Sequence, residues 1–399
     1  MRILHFADLH IGHENYGKPD PKTGLSTRLL DFLEAFDQIV EYALKNKIDY
    51  VIFAGDAYKT RDPSPTYQRE FSKRIKKIAE KIPVLMVTGN HDIPPSFGKA
   101  DTLEIFPTLD IKNVYVSSKP QIVEINGLQI VALPWILRSH LLEEKERRKP
   151  IEEIRNILSN KICQIFKDLL KKIDPKKPAI AIIHQSVSGA VFAHDQETYI
   201  GNDPLIPVSL LANKKLSYVA LGHLHKFQVL SKNPPVIYSG SPERIDFGEA
   251  KEKKGFVIAD INPQNKSKTK FKFISLNARK FITINIEIPV SEENPNEYVM
   301  KEIKKRKIKN SILKITISGQ DSQLARILES DLKKATSDAH FVVAISKKSE
   351  KKETRIEITK EHLRPIDWVG EYLKHKKYSL IETKILQEAA EKLMEEVGM

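Results

Sequence analysis

The chain has 399 residues, 41% hydrophobic and 29% charged, enough apolar material for a sizeable core and for two or three domains. Its single cysteine, Cys163, excludes an internal disulfide framework and suits a reducing cytoplasm, and no apolar run reaches the roughly 20 residues that span a membrane. The net charge of +13 favours a polyanionic partner, nucleic acid or an acidic membrane face, with a lysine-rich solubilising surface as the plain alternative.

The N-terminus carries no signal-peptide pattern and goes straight into fold sequence. Up to about residue 260, short apolar runs alternate with helical patterns. The runs cover 2–7, 50–54, 84–88, 128–133, 179–183, 218–221, 236–238 and 256–261. Each is rich in Ile, Val and Leu and bounded by Gly, Pro, Asp or Asn, as buried strands are. Residues 26–46 place Leu29, Leu30, Leu33, Phe36, Ile39, Val40 and Ala43 at helical spacing. Residues 64–82 do the same with Tyr67, Phe71, Ile75, Ile78 and Ile82, with Pro65 in the first turn. A third helix is predicted over 151–173, with Cys163 on its apolar face. This alternation predicts an α/β fold with covered sheet faces.

A basic stretch over 262–280 follows, in which 269–276 reads as one more strand, and a domain boundary is expected near Ala278. A second unit then reads strand, helix, strand, helix, strand over 281–288, 294–305, 312–318, 322–335 and 340–346. The charge run 301–310 reads as a solvated face or as a nucleic-acid contact. After a Lys/Glu-rich connector, Ser379 and Glu382 form a capping-box pattern ahead of an apolar face that includes Ile381, Ile385, Leu386 and Leu393.

Four polar motifs and one histidine follow at once on strand ends. They are Asp8-Leu9-His10, Gly55-Asp56, Gly89-Asn90-His91-Asp92, His184 and Gly222-His223-Leu224-His225. Strand C-termini of a mostly parallel sheet share one rim, so these residues are expected to converge. Imidazole, carboxylate and amide oxygen suit a pair of divalent transition ions, and the absence of thiolates argues against structural zinc or an iron–sulfur cluster. On extended backbone, residues i and i+2 point the same way, so Asp8 with His10, and His223 with His225, can each reach one centre. Asp56 can bridge two ions. A pair of ions about 3.5–4 Å apart can activate a water and stabilise the oxygens of a displacement at phosphorus. His91 is the candidate acid, with Asp92 expected to orient it and raise its pKa. Singly, each motif has a plainer reading: a satisfied turn, a helix cap or a core histidine. Five of them at five strand ends point to a metal site. His5 reads as strand packing, while His13 and His194 are candidates for the mouth of the site.

These motifs resemble, complete and in order over 1–260, the calcineurin-like metallophosphoesterase signature. More narrowly, 2–13 (RILHFADLHIGH), 55–65 (GDAYKTRDPSP) and 238–248 (YSGSPERIDFG) resemble the SbcD family, the nuclease subunit of a DNA double-strand-break repair complex. The resemblance implies sandwich-like sheets flanked by helices, a small α/β capping domain and C-terminal helices. It divides the chain into a nuclease domain (1–278), a DNA-binding capping domain (279–350) and a connector with helices (351–399) that binds an SbcC-type SMC-like ABC ATPase. It further implies one Mn²⁺ on Asp8, His10, Asp56 and His225, a second on Asp56, Asn90, His184 and His223, and His91 as the catalytic histidine. Three residues beyond Asp56, where archaeal relatives often carry a histidine, stands Lys59; Lys59 and Arg61 are candidate phosphate contacts. The family also dimerises, for which 64–82, with Tyr67 and Phe71, and 103–109 are candidates, ordinary core being the alternative. The expected function is Mn-dependent hydrolysis of DNA in the cytoplasm. The competing readings are a phosphatase or cyclic-nucleotide phosphodiesterase on the same scaffold, and a DNA-end-binding scaffold without activity.

Overall fold

The computed structural model describes residues 1–94, 98–191, 203–262, 268–349, 369, 372–373 and 379–396. The chain opens with β1 (Arg2–Phe6), helix α1 (Thr27–Lys45), β2 (Tyr50–Phe53), helix α2 (Pro65–Ala79), β3 (Val84–Val87) and β4 (Val114–Ser117). It continues through β5 (Gln121–Ile125), β6 (Leu128–Leu133), a helix at Ile151–Lys171 and β7 (Ala179–His184). A two-residue pair, β8 (Ser186–Val187) and β9 (Leu205–Ile206), precedes β10 (Tyr218–Gly222), β11 (Gln228–Lys232) and β12 (Pro235–Tyr238). Then come β13 (Gly255–Asp260) and β14 (Lys270–Ser275).

These strands form two six-stranded sheets, ordered β14-β13-β1-β2-β3-β4 and β11-β12-β10-β7-β6-β5. Strands β1 to β4 run parallel, as do β6, β7, β10 and β12. The sheets pack face to face through Ile3, Ile52 and Leu85 from one and Ile130, Ile182 and Ala220 from the other. Alternate residues face outward, where α1 and α2 cover Leu4, Phe6, Val51 and Phe53, and the helix Ile151–Lys171 covers Val131, Ala181 and Ile183. Burial on both faces is why these strands are continuously apolar rather than alternating. Each fully buried large aliphatic side chain contributes about 1.5–3 kcal/mol.

Helix α1 buries Leu29, Phe32, Leu33, Phe36, Ile39, Val40 and Ala43. At the start of α2, Ser64 Oγ accepts from Tyr67 N at 3.4 Å and Pro65 fills the first turn, where a missing N–H costs nothing. Phe71 is wholly buried among Phe36, Phe53, Tyr58 and Phe106, so it is core rather than a dimer contact. Ile105 and Leu109 are exposed. Among the described residues no helix is long and apolar enough to cross a membrane.

A smaller, all-parallel sheet follows: β15 (Phe281–Glu287), β16 (Ile312–Gly319) and β17 (Phe341–Ser349), with β16 in the middle. It has its own core of Ile284, Ile286, Val299, Ile303, Ile315, Ile317 and Leu332. The helix expected over 322–335 is two short helices, Asp321–Leu324 and Glu329–Ala335. Leu328 between them is extended, and its N–H goes to Asn296 Oδ1 at 3.0 Å rather than into a helix. The small sheet sits on the larger body through Tyr16, whose ring lies about 6 Å from Phe247, Phe281 and Phe341, and through Arg279, which grips Asp31. Most of 351–399 lies outside the described residues. The helix Leu380–Glu396 is present, and its capping box is formed by Ser379 and Glu382.

Candidate metal centre

The parallel strands of both sheets, β1, β2 and β3 from one and β7 and β10 from the other, bring all five sequence features together at the edge where the sheets meet, rather than along the rim of a single sheet. Immediately beyond β1 and β2 the chain runs as two adjoining loops, joined by Asp8 N to Gly55 O (2.9 Å), His10 N to Asp56 O (3.1 Å) and Ile11 N to Ala57 O (3.0 Å). This ladder holds Asp8, His10 and Asp56 at φ values of 55°, 45° and 61°, and His223 beyond β10 is at 106°. Non-glycine residues reach that region at a cost of about 1–3 kcal/mol each, and such strain persists where surrounding structure imposes it. Four instances within one cluster mark a site whose geometry outranks local comfort.

The ligand atoms converge in three overlapping groups: Asp8, His10 and His225; His10, Asp56 and His91; Asp56, His184 and His223. Within each group they lie within 4.8 Å of one another. Asn90 joins the third group through Oδ1, 3.1 Å from His184 Nε2 and 3.0 Å from His223 Nδ1. Asp56 Oδ2 stands 3.5 Å from His10 Nε2 and 3.4 Å from His184 Nε2, central to the cluster.

Two of the ring nitrogens that face away from the cluster are tied to backbone carbonyls. His184 Nδ1 donates to Ala54 O at 2.6 Å, and His91 Nδ1 donates to Lys59 O at 2.7 Å. Their Nε2 atoms therefore carry inward lone pairs when the rings are neutral. Burial holds His10 well below the usual histidine range, so it is neutral and can ligate. Burial pushes Asp56 up, but His184 and His91 beside it outweigh this and hold it well below the usual carboxylate range. Asp8 is fully buried, yet its Oδ2 has no hydrogen-bond partner. A buried carboxylate oxygen left bare is costly unless a cation meets it. This bare oxygen and the inward lone pairs, in a mixed nitrogen/oxygen donor set, fit divalent metal ions.

Residues 1–227 match the calcineurin-like phosphoesterase family. The chain belongs to that family. It is similar to the SbcD component of the nuclease SbcCD from Bacillus subtilis, with 28% identity across 66% of this chain and 67% of that one. It is also similar to the DNA double-strand break repair protein Mre11 of Methanocaldococcus jannaschii, at 26% identity over 75% of this chain and 73% of that one. The Mre11 of Sulfolobus acidocaldarius matches across the whole chain and 97% of its own length at 24% identity. This calcineurin-like phosphoesterase is thus a metal-dependent phosphoester hydrolase whose relatives are DNA-repair nucleases, as the sequence motifs led one to expect.

The structure corrects one expected contact in this phosphoesterase. Asp92 does not orient His91. Its Oδ2 accepts from Asp56 N and Gly89 N, both at 2.8 Å, and its Oδ1 from Ala57 N at 3.0 Å and Thr102 Oγ1 at 3.2 Å. The turn after Asn90 folds this carboxylate back under Asp56, so it braces the turn while the Lys59 carbonyl orients His91. Burial, with the Asp56 charge adding to it, pushes Asp92 up to about 6. Arg61 Nε donates to Asn90 O at 3.1 Å, so part of its guanidinium holds the same loop. His5 bonds Tyr218 OH through Nδ1 at 2.9 Å between the two sheets, away from the rim. His13 stands beside the cluster, its ring 5.8 Å from that of His10, whereas His194 lies outside the described residues.

Three neighbours of the site were not evident in the sequence. Glu249 bonds His225 Nδ1, Asp203 bonds His223 Nε2, and the Trp135 ring lies 5.0 Å from that of His223. The resembling stretch 238–248 stops one residue short of Glu249; Asp203 and Trp135 belong to no motif. Gly89 has a specific reason to be glycine, since a Cβ there would overlap Asp56 Oδ1 and the Asp56 amide. Gly89→Ala is expected to displace the Asp56 carboxylate and lower Mn²⁺ affinity by at least tenfold. Titration calorimetry checks this, and wild-type affinity would refute the crowding argument.

Proposed function

We infer that the protein is a nuclease that hydrolyses phosphodiester bonds at DNA ends with two divalent ions, Mn²⁺ in the cell. The observation that carries this is the convergence of three His/carboxylate groups, two of them sharing Asp56, where the strand ends of the two sheets meet. In this reading Asp8, His10, Asp56 and His225 hold one ion, and Asp56, Asn90, His184 and His223 hold the other. Bound there, the pair would activate a water and neutralise charge on the phosphate oxygens. The chain's own groups do the rest. The Lys59 carbonyl keeps the His91 Nδ1 proton in place, so Nε2 is the atom that carries and delivers a proton to the leaving alkoxide. Asp92 holds the Asp56 turn rigid, and Lys59 and Arg61 flank the loop where a phosphate would approach.

The DNA assignment draws on the net charge of +13 and on relatives named as DNA-repair nucleases. We assign 1–278 as the nuclease domain, 279–350 as a DNA-contacting cap and 351–399 as the connector and helices. Ile381, Ile385, Leu386 and Leu393 lie exposed on the last helix, an apolar face suited to an SbcC-type SMC-like ATPase. Exposed Ile105 and Leu109 suit a homodimer contact, and the protein would work in the cytoplasm.

The test is Mn²⁺-dependent cleavage of linear duplex DNA by the purified full chain. No cleavage with Mn²⁺, with or without the ATPase, sinks the proposal. Fast turnover of a small phosphoester without DNA affinity would favour a phosphatase or cyclic-nucleotide phosphodiesterase. DNA affinity should also fall steeply with salt, with a log–log slope of about −0.9 per phosphate neutralised. A flat response in a fluorescence-anisotropy titration would remove the charge argument.

A further inference from the structure

The two histidines of Gly222-His223-Leu224-His225 are tied to buried carboxylates through opposite ring nitrogens. His225 Nδ1 donates to Glu249 Oε1 at 2.8 Å, and His223 Nε2 donates to Asp203 Oδ2 at 3.1 Å. A neutral imidazole has one ring proton. Fixing it on the outer nitrogen reserves the inner lone pair, which is Nε2 in His225 and Nδ1 in His223. The inner atoms then face different neighbours: His10 Nε2 at 2.9 Å for His225, and Asn90 Oδ1 at 3.0 Å for His223.

We propose that Glu249 and Asp203 are positioning residues, each serving a different ion: Glu249 fixes His225 for the ion shared with Asp8 and His10, and Asp203 fixes His223 for the ion shared with Asn90 and His184. This rests on the two-ion reading above.

The two carboxylates are held in different ways, which lets them act separately. Glu249 is 2% exposed, and both of its oxygens are used. Its Oε2 accepts from Ile245 N at 2.9 Å and lies 2.7 Å from Lys254 Nζ. Lys254, itself buried, also donates to His225 O at 3.1 Å and Ser241 Oγ at 2.9 Å. One lysine thus holds both the backbone of His225 and the carboxylate on its ring. Asp203 uses other partners, accepting from Ser186 Oγ at 3.2 Å and lying 3.6 Å from Arg138 Nη2. These two sets of contacts have no residue in common. Carboxylates placed behind ligating histidines typically contribute 10–100-fold to metal affinity.

The experiment uses the full chain and Mn²⁺ alone, with calorimetry for affinity and elemental analysis for stoichiometry. Glu249→Gln keeps the shape and an acceptor oxygen but removes the charge. One ion should weaken about 10–100-fold while the other is unchanged, and Asp203→Asn should do the same to the opposite ion. In an Asp8→Ala background, where only the second ion remains, Asp203→Asn should still weaken binding and Glu249→Gln should add nothing. Equal weakening of both ions by either variant, or no weakening, overturns the proposal.

A second readout needs no metal. Nitrogen-15 NMR of the metal-free histidine rings reports which nitrogen carries the proton. In Glu249→Leu/Lys254→Met, which removes acceptor and counter-charge together, His225 should lose its Nδ1 proton preference while His223 keeps its Nε2 proton. Unchanged tautomers at His225 would overturn the role of Glu249. A wild-type chain that binds fewer than two ions would instead refute the two-ion reading, and the tautomer result would still decide whether Glu249 positions His225.

Discussion

Asp56→Ala is expected to strip both ions and abolish cleavage, whereas His91→Ala is expected to keep both ions and lose turnover by about 10²–10⁴-fold, the usual contribution of a positioned acid. The contrast follows from where the two side chains sit. Asp56 Oδ2 stands within 3.5 Å of both His10 Nε2 and His184 Nε2, so it belongs to both halves of the cluster. Among the described residues, no other carboxylate takes part in two of the three close groups. His91 is also near, since its ring is 4.8 Å from that of His10 and it forms a group with His10 and Asp56. That proximity makes its role testable. Elemental analysis of the purified variants separates ligand from acid. Loss of an ion in His91→Ala would make His91 a ligand and refute the division of roles. Unimpaired turnover in that variant would remove His91 from catalysis and revive the inactive-scaffold reading.

The rim residues could be read from the sequence because each follows an apolar run short enough to be a strand, and strand ends in a parallel sheet converge. The place of Pro65 in the first turn of α2 and the box at Ser379 could be read because both are local. Pairing is not local. Nothing in the period of the runs says that β1, β2 and β3 belong to one sheet and β7 and β10 to another, with the site formed across the two. Edge strands such as β5 and β11 are half exposed, so their mixed residues lack the apolar signal. The reading of Asp92 fails for a related reason: adjacency along the chain suggests that it serves His91, while the turn aims its carboxylate at the amides beneath Asp56. Glu249 and Asp203 are single carboxylates 24 and 20 residues from the histidines they hold, without any motif to mark them. Only a fold can bring such groups together.

Arg28→Ala is expected to destabilise the protein by about 3–5 kcal/mol, the cost of removing one partner from a buried ionic network. An arginine in the first turn of an amphipathic helix ordinarily faces water, yet Arg28 is only 1% exposed. Its guanidinium meets Asp31 Oδ2 at 2.6 Å and Arg244 O at 2.5 Å, stands 3.7 Å from Glu243 Oε1, and lies over the rings of Phe32 and Phe281. Asp31 is also gripped by Arg279, and Glu243 accepts the Arg279 amide at 3.0 Å. The network therefore lies where the larger body meets the small sheet. Without Arg28, Glu243 keeps two backbone amides but loses the cation that offsets its burial. Arg28→Lys should rescue little, because a single ammonium cannot serve a carboxylate, a carbonyl and two ring faces at once. Denaturant midpoints of the three proteins measure the effect, and a change under about 0.5 kcal/mol for Arg28→Ala would show that the network is not structural. The consequence for the metal centre follows from connectivity: Glu243, Arg244 and Phe247 hold the seam, and Glu249, two residues on, holds His225. A protein loosened at Arg28 should therefore also bind Mn²⁺ more weakly, through the half of the cluster that Glu249 supports.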